Sequence, residues 1–94
     1  MQHARNATEA LIKFIVDHNG SVDSDLRACL YELNAGNKLA AVEAAKRVKP
    51  HGMGGITDWW PQPIHEGESS KYNELILLAL VNYWCAAMQS LSGS

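Results

Sequence analysis

The chain has 94 residues, 47% hydrophobic and 19% charged, and its 10 acidic against 8 basic side chains give a formal net charge of −2. That length suits one hydrophobic core rather than two, and the composition is that of a folded domain, not of a disordered segment. The bases are spread out, with only Lys46, Arg47 and Lys49 clustered, too sparse a set to neutralise a row of phosphates, so no nucleic-acid partner is expected.

Asn6 followed by Glu9 has the form of a capping box, and Leu11, Ile12, Ile15 and Val16 draw an apolar helical face after it. His18-Asn19-Gly20 combines a favourable charge with residues that tolerate a left-handed turn, so the first helix is expected over about 4–18. Ser21 and Asp23 are good N-caps for a second helix with Leu26, Cys29, Leu30 and Leu33 on its buried face. Asn34-Ala35-Gly36-Asn37 interrupts it. Asn37 then caps a third helix through Leu39, Val42, Ala45 and Val48, with Lys46, Arg47 and Lys49 complementing the dipole at its C-terminal end and Pro50 stopping it.

From His51 to Ser70 the periodicity vanishes, and Gly52, Gly54, Gly55, Pro61, Pro63 and Gly67 mark a long loop. Its Ile56, Trp59 and Trp60 predict packing against the body of the domain. Ser69 or Ser70 caps a last helix running to about Ser90, with Lys71, Glu74, Asn82 and Gln89 on one polar stripe and nearly everything else apolar. This pattern predicts a central core helix, with Leu78 and Leu80 among its packed residues. Its apolar surface exceeds what three short helices readily cover, which predicts a homodimer. The fold class expected is all-α: a single helical domain over 1–94, a small bundle of about four helices with the Gly/Trp/Pro-containing loop before the C-terminal core helix.

Cys29 and Cys85 lie in apolar helical patterns without knuckle or redox spacing and read as core thiols. The N-terminus lacks the basic start and apolar stretch of a signal peptide. The longest apolar run, Leu75 to Val81, is seven residues, against the ~20 of a membrane span. A cytoplasmic location with no membrane partner is the expectation.

Gly52-Met53-Gly54-Gly55 lacks the Lys-Ser/Thr of a phosphate loop, so its glycines read as turn residues. No metal motif is present; the potential ligands in the loop are His51, Asp58, His65, Glu66 and Glu68, with His51, His65 and Glu66 the leading candidates, and the two histidines could meet only if the loop folds back. Asp58 with His51 or His65 could form an acid–base pair, but no nucleophile motif accompanies them, so neither an enzyme nor a cofactor is expected. Adjacent side chains in an extended segment point to opposite sides, so one of Trp59 and Trp60 should be exposed. Tryptophan is enriched among binding hot spots. Met53, Asp58, Trp59 and Trp60 are therefore the candidate partner-binding residues, with Asp58 accepting backbone N–H groups to hold the loop. The function expected is a non-catalytic protein–protein interaction module binding another protein. The alternative is a small-ligand or metal-binding module built on the 51–68 loop.

His51-Gly52-Met53-Gly54-Gly55-Ile56-Thr57-Asp58, lying before an apolar helix with Asn73 near its start, resembles the Gly-Met-Gly-Ser-x-Asn-Asp loop of a family of small bacterial helical proteins. Gly55 and Thr57 stand where that family usually has Ser and Asn. The resemblance implies a bacterial protein of immunity or adaptor type.

Overall fold

A computed structural model describes residues 1–93. It contains four α-helices, α1 (Gln2–Asp17), α2 (Ser24–Asn34), α3 (Lys38–Arg47) and α4 (Ser70–Ser92), and a single 3₁₀ turn at Ile56–Asp58. The fold is an all-α four-helix bundle with a loop before its C-terminal helix, and no strand occurs among the described residues.

The first helix begins at Gln2, so the expected capping box does not form: Asn6 lies inside α1 and its Oδ1 accepts from Gln2 Nε2 at 3.0 Å. Ala4, Ala7, Thr8, Leu11, Ile12 and Ile15 are its buried stripe. Its end is a Schellman turn, in which Gly20 N donates to Ile15 O and Asn19 N to Val16 O. Asn19, at φ 62°, is the left-handed residue. The same device ends α2, where Asn37 N donates to Glu32 O, Gly36 N to Leu33 O, and Gly36 takes φ 81°. Two helices are thus reversed within a few residues each.

Asp23 caps α2 as expected, its side chain accepting from Asp25 N and Leu26 N. Leu26, Cys29 and Leu33 are buried, and Leu30 is partly so. In α3 the expected face holds at Val42, Val48 and, partly buried, Ala45, and fails at Leu39. Leu39 is 81% exposed, and the buried residues are Ala41, Val42 and Ala44, followed by Val48. Asn37 precedes α3 without a side-chain cap; its Nδ2 donates to Glu32 Oε1 at 3.1 Å.

Ser69 Oγ accepts from Tyr72 N and starts α4. Leu77, Val81, Trp84 and Met88 repeat at three- and four-residue intervals and are buried with Asn73 and Ala87. The helix runs antiparallel to α1, since Glu68 and Asn73 lie near His18 while Tyr83 lies near His3. A buried relay joins the two helices: Trp84 Nε1 donates to Thr8 Oγ1 at 3.0 Å, and that hydroxyl donates to Ala4 O at 2.7 Å. Each polar atom in the relay has a partner, as burial requires.

The expected central position of α4 is corrected, because only one side of the helix is covered. Its contacts are chiefly with α1, then with α3 and the 3₁₀ turn, and only 28% of its most apolar window is buried. Leu78 is 41% exposed and Leu80 only partly buried. By length and composition alone α4 is long and apolar enough to cross a membrane, which the short uninterrupted run in the sequence had not suggested.

Leu77→Ala should cost ~2–5 kcal/mol, as removal of a buried leucine does, whereas Leu78→Ala in the monomer should cost about 1 kcal/mol or less because much of its surface is already wet. Urea denaturation of the two variants at high dilution checks this. Equal costs would contradict the rotation of α4 described here.

Candidate metal centre at the end of the first helix

The Schellman turn places Asp17 as the last residue of α1 and His18 as its C-cap. His18 is buried, its ring stacked on Phe14 with centroids 4.2 Å apart, and Nδ1 lies 2.9 Å from Phe14 O. That carbonyl can only accept, so Nδ1 carries a proton and Nε2 faces the loop.

The loop meets it through Glu68. Glu68 Oε1 accepts from Ile64 N at 2.9 Å and His65 N at 3.1 Å, while Glu68 N donates back to His65 O at 3.2 Å. Its other oxygen, Oε2, lies 2.9 Å from His18 Nε2. From α4, buried Asn73 Nδ2 donates to Gln62 O and to Glu68 Oε1 at 3.4 Å. Asn73 Oδ1 has no partner among the described residues.

These contacts fix the protonation states. With Nδ1 committed to Phe14 O, Nε2 can donate to Glu68 only from an imidazolium ring. Burial acts to lower the His18 pKa, but the Glu68 hydrogen bond, the Phe14 carbonyl and the charges of Glu68 and Asp17 outweigh it and leave the pKa raised above 6.5. Glu68 is pulled down to about 2, first by the Ile64 N–H, then by His18 and the His65 N–H, against a smaller opposing effect of burial.

The turn held by Glu68 presents His65 to the end of α1. Its Nε2 lies 2.8 Å from Asp17 Oδ2, and its ring stands edge-on to His18 with centroids 5.7 Å apart. One donor atom from each of Asp17, His18 and His65 lies within 4.8 Å of the others. Imidazole nitrogens and a carboxylate oxygen are ligands for zinc and related divalent ions. Tetrahedral zinc with ~2.0–2.1 Å bonds holds its ligands about 3.3 Å apart, so the cluster must contract by ~1.5 Å or less. Asp17 and His65 are both exposed. His18 already has the backbone-carbonyl support on Nδ1 that metal-bound histidines commonly have, and the negative end of the α1 dipole favours a cation here.

Of the residues read from sequence as potential ligands, the structure brings His65 into this cluster and Glu68 beside it. His51 Nδ1 lies 3.2 Å from Thr57 Oγ1 within its own loop, and Glu66 is exposed and outside the cluster. Asp58 Oδ2 accepts from Gly54 N at 3.1 Å and so holds the loop as expected. Trp59 packs inward, edge-on to Phe14 and against Gly20, whereas Trp60 is 64% exposed. Met53 is exposed at the loop tip, its carbonyl accepting from Lys49 Nζ at 2.6 Å. The glycines serve turns: Gly52 and Gly54 have positive φ, and a Cβ on Gly55 would meet His51 O at 2.7 Å. Burial raises both thiols, Cys29 to about 11, so neither is poised as a thiolate ligand or nucleophile.

Asp17 and His18 were missed as site residues. The available signal was an acid next to a histidine at a helix end, but their partner is 48 residues from Asp17 and only the tertiary fold joins them.

With a chelator present, the His18–Glu68 pair should add most stability between about pH 4.5 and 6.5, the unperturbed values of its two groups. Glu68, with its lowered pKa, loses its contribution as pH falls from 4.5 toward 2; His18, with its raised pKa, loses its contribution as pH rises through that raised value. The melting-temperature gap between the wild-type protein and Glu68→Gln should therefore peak in that window and shrink on both sides. A gap independent of pH would show that the pair is not ionised.

Comparison with models of protein families, with curated protein sequences and with solved structures finds no match to this chain.

Proposed function

We propose that this chain is a metal-binding module that takes a divalent transition ion, zinc by its donor chemistry, on Asp17, His18 and His65, with Glu68 beside them. The observation that carries the reading is the convergence of three ligand atoms within 4.8 Å from two segments remote in sequence. Two imidazoles and a carboxylate form a set that zinc uses widely. Glu68 Oε2, at 2.9 Å from His18 Nε2, is the nearby carboxylate able to replace its hydrogen bond with a fourth bond to the ion. Binding requires His18 and His65 in the neutral form, so protons compete with metal and affinity falls as pH falls. The bound ion would clamp the 59–69 segment to the end of α1.

A second reading, a module that binds another protein, is supported by Trp60 and Met53, which stand exposed on the same connection. The two readings are compatible, because an ion at His65 would stiffen the segment that carries Trp60.

Zinc at about a hundredfold excess over its Kd should stabilise the protein by roughly 2.7 kcal/mol, a rise in Tm on the order of 10 °C for a chain of this size. His65→Ala and Asp17→Asn, both at exposed positions, should remove the rise while leaving the metal-free Tm nearly unchanged. Titration calorimetry with zinc at pH 7.5 gives the affinity directly. The absence of both binding heat and a Tm rise, or a rise that persists in both variants, would overturn the assignment.

A further inference from the structure

Away from the Asp17–His18–His65 cluster, the outer face of α4 is exposed. Between Leu75 and Ser92 the sequence has no Asp, Glu, Lys, Arg or His. The side of α4 opposite Leu77 and Val81 is exposed, and it carries Tyr72, Leu75, Ala79, Asn82, Ala86 and Ser90 at three- and four-residue intervals, a single seam along the helix. Tyr72 is 55% and Leu75 53% exposed. From Tyr72 to Ser90 the seam is about 28 Å long at the α-helical rise per residue.

We infer that this face pairs with the same face of a second copy of the chain, antiparallel, about a twofold axis near Asn82 and Tyr83. The seam tapers, with bulky Tyr72 and Leu75 at its N-terminal end and Ala86 and Ser90 at its C-terminal end. An antiparallel copy lays each bulky end over a small end, so Leu75 meets the partner's Ser90 and Ala79 meets the partner's Ala86. A parallel copy would set bulk on bulk at one end and leave a gap at the other, losing contacts that close packing requires. Because 75–92 carries no charge, like meets like there without repulsion, although each copy has a net charge of −2. Lys71 and Glu74 precede this uncharged stretch. One helix face is smaller than the ~800 Å² per partner of a standard interface, which fits a reversible dimer. This inference is independent of the metal site.

Analytical ultracentrifugation over roughly 1–500 μM, with EDTA so that no ion bridges copies, should show the mass rising from 10.3 kDa toward twice that value. Ala79→Glu and Ala86→Glu lie on the exposed seam; each should remain monomeric throughout with unchanged helical content and a dilute-solution Tm close to wild type. In a Cys85→Ser background, oxidising a mixture of Ala79→Cys and Ala86→Cys chains should give mixed disulfide dimers, while either chain alone gives few. A monomer at every concentration overturns the proposal, as does a dimer that persists in both glutamate variants. Self-crosslinking of each cysteine variant alone overturns the antiparallel arrangement. A monomeric protein that sediments with phosphatidylcholine vesicles, and loses that binding in Leu75→Glu, assigns the face to a lipid surface and overturns the second copy.

Discussion

Everything placed at the end of the first helix depends on what the Glu68 carboxylate receives. The segment between α3 and α4 has no long ladder of backbone hydrogen bonds to hold it, and a wandering connection of this kind must be fixed by side chains. Glu68 accepts from two backbone N–H groups of its own turn, from the His18 imidazolium of α1 and from the Asn73 amide of α4. One ionised group thereby ties the loop to both helices that it separates. Each of these bonds favours the anion, and together they hold the carboxyl far below its ordinary pKa. Without that turn His65 would have no reason to stand beside Asp17.

The same geometry gives His18 two exclusive states. As an imidazolium it donates to Phe14 O and Glu68 at once. As a neutral ring with Nδ1 protonated it keeps the first bond and frees an electron pair on Nε2, the atom that would bind an ion. In the first state the proton on Nε2 holds the loop to α1; in the second, a divalent ion on Nε2 would keep a cation at the end of the helix dipole.

The helical architecture was legible because its signals are local. Asp23 and Ser69 cap the helices that they precede, Pro50 lies just beyond the end of α3, and Asn19 and Gly36 take the left-handed positions that end α1 and α2. The errors arose where a local signal competed with packing. Asn6 and Glu9 have the spacing of a capping box, but the helix had already started at Gln2. Leu39 was read as core by its hydrophobicity, yet it is exposed and the buried residues of α3 are Ala41, Val42 and Ala44. In α4 nearly every position is apolar, so composition could not say which side faces inward; the Thr8–Trp84 bond and the burial of Asn73 fix the rotation. The opposite directions of Trp59 and Trp60 followed from strand-like alternation. The metal cluster did not follow, because neither Asp17 nor His18 belongs to the segment that drew attention.

The two Schellman reversals have a kinetic consequence. By joining α1 to α2 and α2 to α3 through very short connections, they let these three helices find one another through contacts close in sequence, which form quickly. The last helix must instead close a loop across the whole chain to reach α1, and the entropy of that closure is recovered only when Trp84 and Leu77 are buried. Until then both sides of the most apolar helix face water. The nascent chain is thus most prone to aggregate at its final step, and the long connection sets how briefly that exposure lasts.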